Sequence, residues 1–421
     1  MTATAAKRPR STEAQCREAD VVIVGAGAAG LVAAIWAGRS ARGSRVVVLD
    51  GARKPGAKIV IAGGGRCNVT HDHVDASAYA GSSPRAIAKV LRRFDVPKTI
   101  AFFEELGVDL EREATGKLFP ATGRAAAVRD ALLRAAREAN AAILHPRRVE
   151  TVTAGPGGLA VAGPWGSLHA PRVVLATGGR SVPKSGSDGH GYEIARSLGH
   201  TITPLFPALV PLTLRKDHFI TRLAGLSVEA TLDVMSATGK RLSSFTGSVL
   251  CTHFGLSGPS VLDISRFYIE ALIDDPRTSL VINWFPERTP GAFEHELLAI
   301  GNTSVSGHLR RFLPGRLAGA LCAAANVHPK TPGHQLCRDG RRALAHAVTR
   351  LTLPITGNRG FDHAEVTAGG IPLKEICLDT MESRVCPGLH LCGEICDVDG
   401  RIGGFNFQWA WASGYVAGVS V

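Results

Sequence analysis

The stretch from Asp20 to Asp50 constrains the fold of this chain more than any other. It opens with the apolar, β-branched run Val21–Val24, which predicts a strand buried on both faces of a sheet. Glycines in the spacing GxGxxG follow at once and lead into an alanine-rich segment with helical spacing. Residues 45–49 then predict a second strand. Strand, glycine turn, helix and strand together predict a Rossmann-like unit that binds a dinucleotide.

Each part of this pattern has a physical role in holding a dinucleotide. Gly25 permits the tight turn, Gly27 lets a pyrophosphate approach the backbone, and Gly30 lets helix and strand pack closely. The free N–H groups and the dipole at the helix start bind the phosphates. Asp50 follows Gly30 at the sequence separation that is typical of the carboxylate that accepts hydrogen bonds from the ribose hydroxyls. The alternative, a membrane helix over the uncharged residues 21–38, is disfavoured by these glycines.

Length and composition indicate a globular protein of two or three domains. The 421 residues can bury a large core, and 45% hydrophobic with 20% charged residues is typical of such proteins. The N-terminal segment lacks the apolar core of a secretory signal, so residues 1–18 are predicted to form a mobile tail. Nine cysteines without regular spacing favour free thiols and a cytoplasmic location.

The net charge of +12 raises the question of a nucleic-acid partner. The basic residues are mostly arginines spread along the chain, and no basic run is interleaved with aromatic residues. A solvated basic surface that also attracts anionic cofactors is therefore the favoured interpretation. Nucleic acid is disfavoured as a partner, no membrane partner is expected, and the oligomeric state is open.

A glycine triplet follows the first unit, in the run from Gly63 to Thr70 with the sequence GGGRCNVT. Three consecutive glycines are poor in a helix or strand interior but suit a backbone that lies against a flat group. Arg66 and Asn68 add hydrogen-bond donors beside them. The alternative is an ordinary flexible loop.

This run resembles the hallmark of bacterial flavoproteins known as aminoacetone-oxidase-like or NAD(P)/FAD-dependent oxidoreductases, within the two-dinucleotide-binding-domain superfamily. The chain departs from the usual family pattern at Asp50, where Glu is usual, and at His71, where Asn is usual. It departs again at Asp188 and His190, where Thr and Asp are usual. The changes at Asp50 and His71 keep a polar group, whereas those at Asp188 and His190 put local hydrogen bonding in doubt but not the fold.

Residues 84–106 and 124–140 have apolar residues at helical spacing and predict surface helices, and residues 143–152 predict a strand.

Two further segments resemble the same family. Residues 172–179 predict a buried strand that ends on Ala-Thr-Gly-Gly, a turn that lies near the FAD in these flavoproteins. Residues 365–421 predict a strand, a glycine turn and a small-residue helix. The resemblance implies that this glycine turn passes the FAD and that the positive end of the last helix points at the flavin ring.

Between these segments the sequence changes character. Strand-like pieces at residues 226–235, 241–250 and 279–284 precede helical pieces at residues 292–351. In the turn that follows residues 241–250, Ser257 is predicted to cap a helix, and His253 is either a proton donor at the substrate or a structural turn residue.

The prediction is therefore an α/β fold with a Rossmann-like FAD-binding domain built from both ends of the chain, an inserted β-rich subdomain and a small helical subdomain. The predicted domains are a tail (1–18), the first FAD-binding part (19–193), the inserted substrate region (194–360, helical at about 290–352) and the second FAD-binding part (361–421).

The candidate cofactor-binding residues come from the glycine pattern and from the resemblance. They are Gly25, Gly27, Ala28, Ala29, Gly30, Asp50, Lys58, Gly65, Arg66, Cys67, Asn68, Val149, Thr177, Gly178, Gly179, Gly393, Glu394, Asp397, Gly404, Phe405, Asn406 and Gln408. No catalytic side chain is assigned. The spacing of Cys377, Cys386, Cys392 and Cys396 contains no CxxC pair, so no metal is predicted.

The resemblance implies an FAD-dependent oxidoreductase of the cytoplasm, with NAD(P)H as a candidate electron donor and a small molecule as substrate. The implied activities are oxidation of a small amino-ketone or reduction of a conjugated enone. A flavoprotein that acts on or binds RNA is the alternative, because related flavin folds modify tRNA and this chain is basic.

We expect the purified protein to be yellow and to release FAD, not FMN, on denaturation. The dinucleotide pattern has an acid placed for an adenosine ribose, and FMN has no such ribose. Chromatography of the released cofactor distinguishes the two. A colourless protein that binds only NAD tightly would contradict this prediction.

Overall fold

The computed structural model describes residues 17–41 and 43–421. Its α-helices are α1 (Ala28–Ser40), α2 (Ala57–Ile61), α3 (Pro84–Leu91), α4 (Val96–Glu105), α5 (Ala125–Glu138), α6 (His190–Ser197), α7 (Pro259–Asp274), α8 (Pro290–Ala299), α9 (Val305–Leu309), α10 (Gly315–Ala324), α11 (Arg338–Thr349) and α12 (Phe405–Gly418).

The strands of the described residues are β1 (Arg17–Glu18), β2 (Val21–Val24), β3 (Val46–Leu49), β4 (Thr70–His71), β5 (Tyr79–Gly81), β6 (Leu110–Arg112), β7 (Lys117–Pro120), β8 (Ala142–Leu144), β9 (Thr151–Gly155), β10 (Gly158–Gly163), β11 (Gly166–Ala170), β12 (Arg172–Leu175), β13 (Phe206–Ala208), β14 (Leu212–Leu214), β15 (Ser227–Met235), β16 (Arg241–Thr252), β17 (Gly255–Ser257), β18 (Ser279–Asn283), β19 (Leu351–Leu353), β20 (Ile355–Asn358), β21 (Val366–Ala368), β22 (Ile376–Cys377), β23 (Glu382–Ser383), β24 (Leu389–Leu391) and β25 (Val398–Gly400).

A seven-stranded sheet in the order β22-β23-β24-β12-β2-β3-β8 organises the first domain. The strands from β24 to β8 run parallel, and all four residues of β2 are buried, as in a sheet covered on both faces. Strand β24 comes from the C-terminal segment and pairs with β12, so both ends of the chain contribute to one sheet. The predicted Rossmann-like α/β fold is confirmed.

A second seven-stranded sheet, antiparallel, has the order β19-β18-β15-β16-β17-β14-β20. Its buried side chains form a separate core within residues 212–353, to which α7 and the helices α8–α11 also contribute. The predicted strand-like pieces correspond to β15, β16 and β18, and the predicted helical pieces to α8–α11, but α7 precedes β18, and β19 and β20 follow α11. The domain bounds given above remain a prediction.

Three local predictions need correction. The helical pattern of residues 84–106 divides into α3 and α4, because the Asp95 side chain accepts from Lys98 N at 3.1 Å and begins a new helix. The strand predicted from Ile143 to Val152 divides into β8 and β9, in different sheets, with Pro146 between them. Ser257 does not cap α7, whose N-cap is Gly258, and no side chain caps that helix.

The predicted N-terminal tail lies almost entirely outside the described residues. Its last two residues form β1, which pairs parallel with β11. No helix among the described residues is long and apolar enough to cross a membrane.

An ion pair joins the inserted region to the C-terminal segment. Arg266 Nε of α7 donates to Asp399 Oδ2 of β25 at 3.0 Å, and both side chains are buried. Arg266 also pairs with Glu270. Burial raises the pKa of Asp399 to about 6, although Arg266 opposes the shift.

We expect Arg266→Met to destabilise the protein by about 3–5 kcal/mol at pH 8, because it leaves the Asp399 carboxylate buried without its ion-pair partner. The loss should be smaller at pH 5, because Asp399 is then mostly protonated with or without Arg266. Urea unfolding at the two pH values measures this difference. Arg277→Met, which changes an exposed arginine paired with Asp275, is the control. An equal loss at pH 5 and pH 8 would contradict the prediction.

Candidate active site

A large cavity of about 1070 Å³ lies at the carboxyl ends of β2, β3 and β12. Ligands bind at this edge in parallel α/β sheets. Of the predicted residues, the following line this central cavity: Gly25, Gly27, Ala28, Ala29, Asp50, Lys58, Arg66, Asn68, Val149, Thr177, Gly178, Gly393, Glu394, Gly404 and Asn406. The structure thus brings together residues from four separate parts of the sequence.

The other predicted residues, Gly30, Gly65, Cys67, Gly179, Asp397, Phe405 and Gln408, lie outside the cavity wall as the structure defines it. Several of them support it. A Cβ at Gly30 would lie 1.9 Å from the carbonyl oxygen of Gly25, so this glycine permits the close packing that the sequence predicts. The buried Gln408 accepts from Thr70 and Thr99 at 2.7 and 3.0 Å and thereby fixes α12.

The start of α1 and the end of β3 form one end of the cavity. Gly27 is the N-cap of α1, and a Cβ there would have no atom within 4 Å, so the backbone is open to a ligand. The Asp50 carboxylate accepts from Ala26 N at 2.6 Å and from Ala52 N at 2.7 Å. Burial raises the pKa of Asp50, and these two hydrogen bonds oppose the shift. They also fix the carboxylate beside the N-terminus of α1.

The glycine triplet forms a second wall. Gly63, Gly64 and Gly65 have φ values of 58°, 66° and 87°, in the left-handed region that favours glycine. Arg66 next to them stacks over Phe119 at 4.1 Å and pairs with Glu113 at 2.7 Å. The triplet is therefore a defined turn with an open face toward the cavity.

A polar network connects α2 with the C-terminal glycine turn. Lys58 Nζ donates to Glu394 Oε2 at 2.6 Å and also contacts Ser181 Oγ. Ser181 Oγ and Thr367 N both donate to Glu394 Oε1 at 2.9 Å. The Glu394 carboxylate therefore has protein donors on both oxygens. The sequence predicts Lys58 and Glu394 but misses Ser181, which has no motif around it.

Asp188 and His190, where the chain departs from the usual family pattern, both have hydrogen-bond partners within the protein. Asp188 pairs with Arg148 at 2.7 Å and accepts from His190 N at 3.1 Å. The ring nitrogens of His190 contact Glu150 O at 2.8 Å and Glu193 at 2.9 Å. Local hydrogen bonding is thus complete here with the residues of this chain.

Several side chains of the cavity wall were not predicted, among them Lys117, Glu365 and Arg401. Asp263 of α7 holds the segment that carries Arg401, since it accepts from Arg401 at 3.3 Å and from Ile402 N at 2.8 Å. No sequence motif marks these residues, because their proximity depends on how the inserted region meets the first domain. His253, in contrast, lies exposed in the turn between β16 and β17 and does not line the cavity.

The residues present fit the FAD that the sequence predicts. The N-termini of α1 and α12 both border the cavity, where their dipoles favour phosphate and a reduced flavin ring. Thr177 Oγ1 and Asn68 Oδ1 are buried and have no hydrogen-bond partner among the described residues. Such atoms are expected to bind a ligand. The cavity volume exceeds about 1,000 Å³, the upper end of the usual range of volumes for small-molecule sites. The cavity therefore has space for a substrate as well.

The structure also describes the surroundings of the C-terminal cysteines. Within residues 17–41 and 43–421, no group of three or more His, Cys, Asp or Glu side chains is arranged to hold a metal ion. Cys392 and Cys396 are buried, and burial raises the pKa of both thiols.

Comparison with known proteins gives matches over nearly the whole chain. A family model described as HI0933-like protein Rossmann domain matches residues 19–420. The chain is 35% identical over 401 residues to the 3-dehydro-bile acid delta(4,6)-reductase of Clostridium scindens, covering 94% of this chain and 97% of that protein. It is 34% identical over 399 residues to the ribosomal RNA dihydrouridine synthase of Escherichia coli, covering 94% and 96%.

A further relative is the ribosomal RNA dihydrouridine synthase of Haemophilus influenzae, 32% identical over 412 residues, with 95% of this chain and 98% of that protein covered. Among solved structures, the quinol fumarate reductase subunit FrdA of E. coli has a TM-score of 0.51 at 17% identity, covering 96% of this chain and 70% of that chain. At this identity the structural likeness concerns the fold alone.

We expect Asp50→Ala to weaken FAD binding by roughly ten- to a hundredfold. The change removes a charged hydrogen-bond acceptor worth about 1.5–3 kcal/mol. FAD retention during dialysis and a fluorescence titration of the apoprotein measure the effect. Asp130→Ala, an exposed aspartate on α5, is the control. Unchanged retention in Asp50→Ala would mean that another acid binds the ribose.

Proposed function

The chain belongs to the HI0933-like family of FAD-dependent Rossmann proteins, and on that premise we propose that it reduces a carbon–carbon double bond conjugated with a carbonyl group. The bound flavin would supply the hydride chemistry, with NAD(P)H as the electron donor. The substrate we infer first is a small apolar enone.

The observation that carries this proposal is the mixed character of the cavity beyond the cofactor residues. Phe119, Leu209 and Ile402 give it apolar walls, while Lys117 and Arg401 add positive charge. An apolar body with one carbonyl oxygen matches such a site, because the cations stabilise the negative charge that develops on that oxygen. A small amino-ketone, the other substrate class considered above, would leave most of the apolar wall uncovered.

The relative from C. scindens supports this choice, since its name describes the reduction of double bonds in a 3-dehydro-bile acid. Its match covers the inserted region as well as the cofactor domain, because 97% of that protein is included.

The second candidate substrate is a uracil base in RNA. Two relatives are named ribosomal RNA dihydrouridine synthases and match over 96% and 98% of their length. Dihydrouridine forms by saturation of a carbon–carbon bond that is conjugated with a carbonyl group, so the reaction is of the same chemical class. The net charge of +12 also favours a polyanionic substrate.

The test is anaerobic reduction of the holoprotein with NADH and with NADPH, followed by addition of a 3-oxo-Δ4 steroid or an unmodified ribosomal RNA transcript. Aminoacetone is added in a separate assay to the oxidised holoprotein in air, where oxygen can accept its electrons. We expect the steroid enone to reoxidise the flavin and to gain two hydrogens, as measured by mass spectrometry. Turnover of the RNA alone, with binding that weakens steeply as salt rises, would assign the second candidate. Oxidation of aminoacetone with neither double bond reduced would overturn the proposal.

A further inference from the structure

Glu365 is a carboxyl group that the protein holds in the central cavity without giving it a partner. Its backbone is fixed on both sides, since its N–H donates to Leu209 O at 3.2 Å and its carbonyl accepts from Ser181 Oγ at 3.2 Å. Glu365 lines the cavity and keeps an accessible surface. No hydrogen bond or ion pair with another described residue engages its carboxylate.

The surroundings of Glu365 favour the protonated acid. Burial raises its pKa, because the surrounding protein desolvates the group even though the cavity is open to it. Lys58 of α2 and Lys117 of β7 oppose this shift, and Asp263 of α7 adds to it. The net result is a glutamic acid that retains its proton at a higher pH than an ordinary one.

Other groups mark the position of Glu365 within the cavity. A Cβ at Gly403 would lie 3.6 Å from Lys117 Cε, so Lys117 reaches the start of α12. Asp263 binds the backbone of Ile402 next to this glycine. Glu365 therefore shares its part of the cavity with the start of α12 and with the inserted helix α7. The resemblance described above implies that α12 points at the flavin ring. On that basis, this part of the cavity is where a substrate would meet the ring.

The other carboxyl groups of the cavity wall are less suited to give up a proton. The carboxylates of Asp50, Asp188 and Glu394 all accept hydrogen bonds from protein donors, which hold them in place and leave them less free to reach a substrate. Asp362 also lines the cavity, and like Glu365 it keeps an accessible surface. Asp362 is therefore the closest rival.

We propose that Glu365 is the catalytic acid that protonates the α-carbon of the conjugated substrate, an inference that rests on the proposed function. Hydride from the two-electron donor NAD(P)H, delivered through the cofactor, forms the C–H bond at the β-carbon as the π bond breaks. The resulting enolate takes the Glu365 proton, so the O–H bond breaks and the second C–H bond forms. The carboxylate then regains a proton from water.

The first test reads the proton on Glu365 directly, without turnover. Infrared difference spectra of the protein over a pH titration should show a carboxyl C=O band that persists above the pH at which exposed glutamic acids ionise. Asp50 and Asp399, whose pKa values are also raised, contribute to this absorption, so the decisive spectrum is the difference between wild type and variant. One component of the band should be lost in Glu365→Gln and retained in Asp362→Asn and in Glu287→Gln. Glu287 is exposed and lies outside the cavity wall, so it provides the same chemical change as a control.

The second test separates the two half-reactions by stopped-flow absorbance. Glu365→Gln should leave flavin reduction by NAD(P)H unchanged and slow reoxidation by the substrate by about a hundredfold or more, the usual range for loss of a general acid. Glu365→Asp should restore part of the rate, which a purely structural role would not explain. The wild-type rate should fall as the pH rises through the pKa of Glu365, and the Gln variant should lose this dependence.

Each outcome has a defined meaning. Reoxidation at the wild-type rate in Glu365→Gln, or loss of this component of the band in Asp362→Asn in place of Glu365→Gln, overturns the assignment of Glu365 while the proposed function stands. A wild-type protein that reduces no conjugated double bond overturns the proposed function and this assignment with it.

Discussion

The close packing of α1 against β2 and α12 is the contact on which the rest of the structure depends. A Cβ at Gly414 would lie 2.5 Å from the carbonyl oxygen of Ala29, and one at Gly30 would lie 1.9 Å from that of Gly25. Backbones can approach this closely only where side chains are absent. The packing places two helix N-termini, from opposite ends of the chain, on one cavity, and a ligand that carries negative charge at two points can then bind to both.

Charged side chains connect the inserted region to this arrangement. Arg266 and Asp263 lie on the same helix, α7, and both contact the segment that leads into α12. Burial of such groups is costly unless they are paired, and here each has a partner from the other domain. A displacement of α7 would therefore change the position of Arg401 and the start of α12 together. The substrate side and the cofactor side of the cavity are mechanically coupled through these contacts.

The sequence predicts the cavity wall beside β2 and α1 far better than the wall that faces the inserted region. Val21 to Val24, the glycines after them and Asp50 are adjacent in a local pattern whose geometry is dictated by backbone constraints. What this pattern does not show is that Asp50 also accepts from Ala26 N and Ala52 N. The residues of the latter wall, such as Glu365 and Arg401, come together only through long-range packing. Their types and spacing carry no local signal, so they could not be found in advance.

The order of the parallel sheet also affects how the protein is made. Strand β12 pairs on one side with β2 and on the other with β24, which leaves the ribosome more than 200 residues later. During synthesis β12 thus has an open edge, of the kind that invites pairing with other chains. The inserted region has its own core within residues 212–353 and can fold in the meantime, because domains fold as units. Because α12 forms part of the cavity wall, the cavity is complete only at the end of translation, and premature termination yields a chain with an unprotected sheet edge and an incomplete cavity.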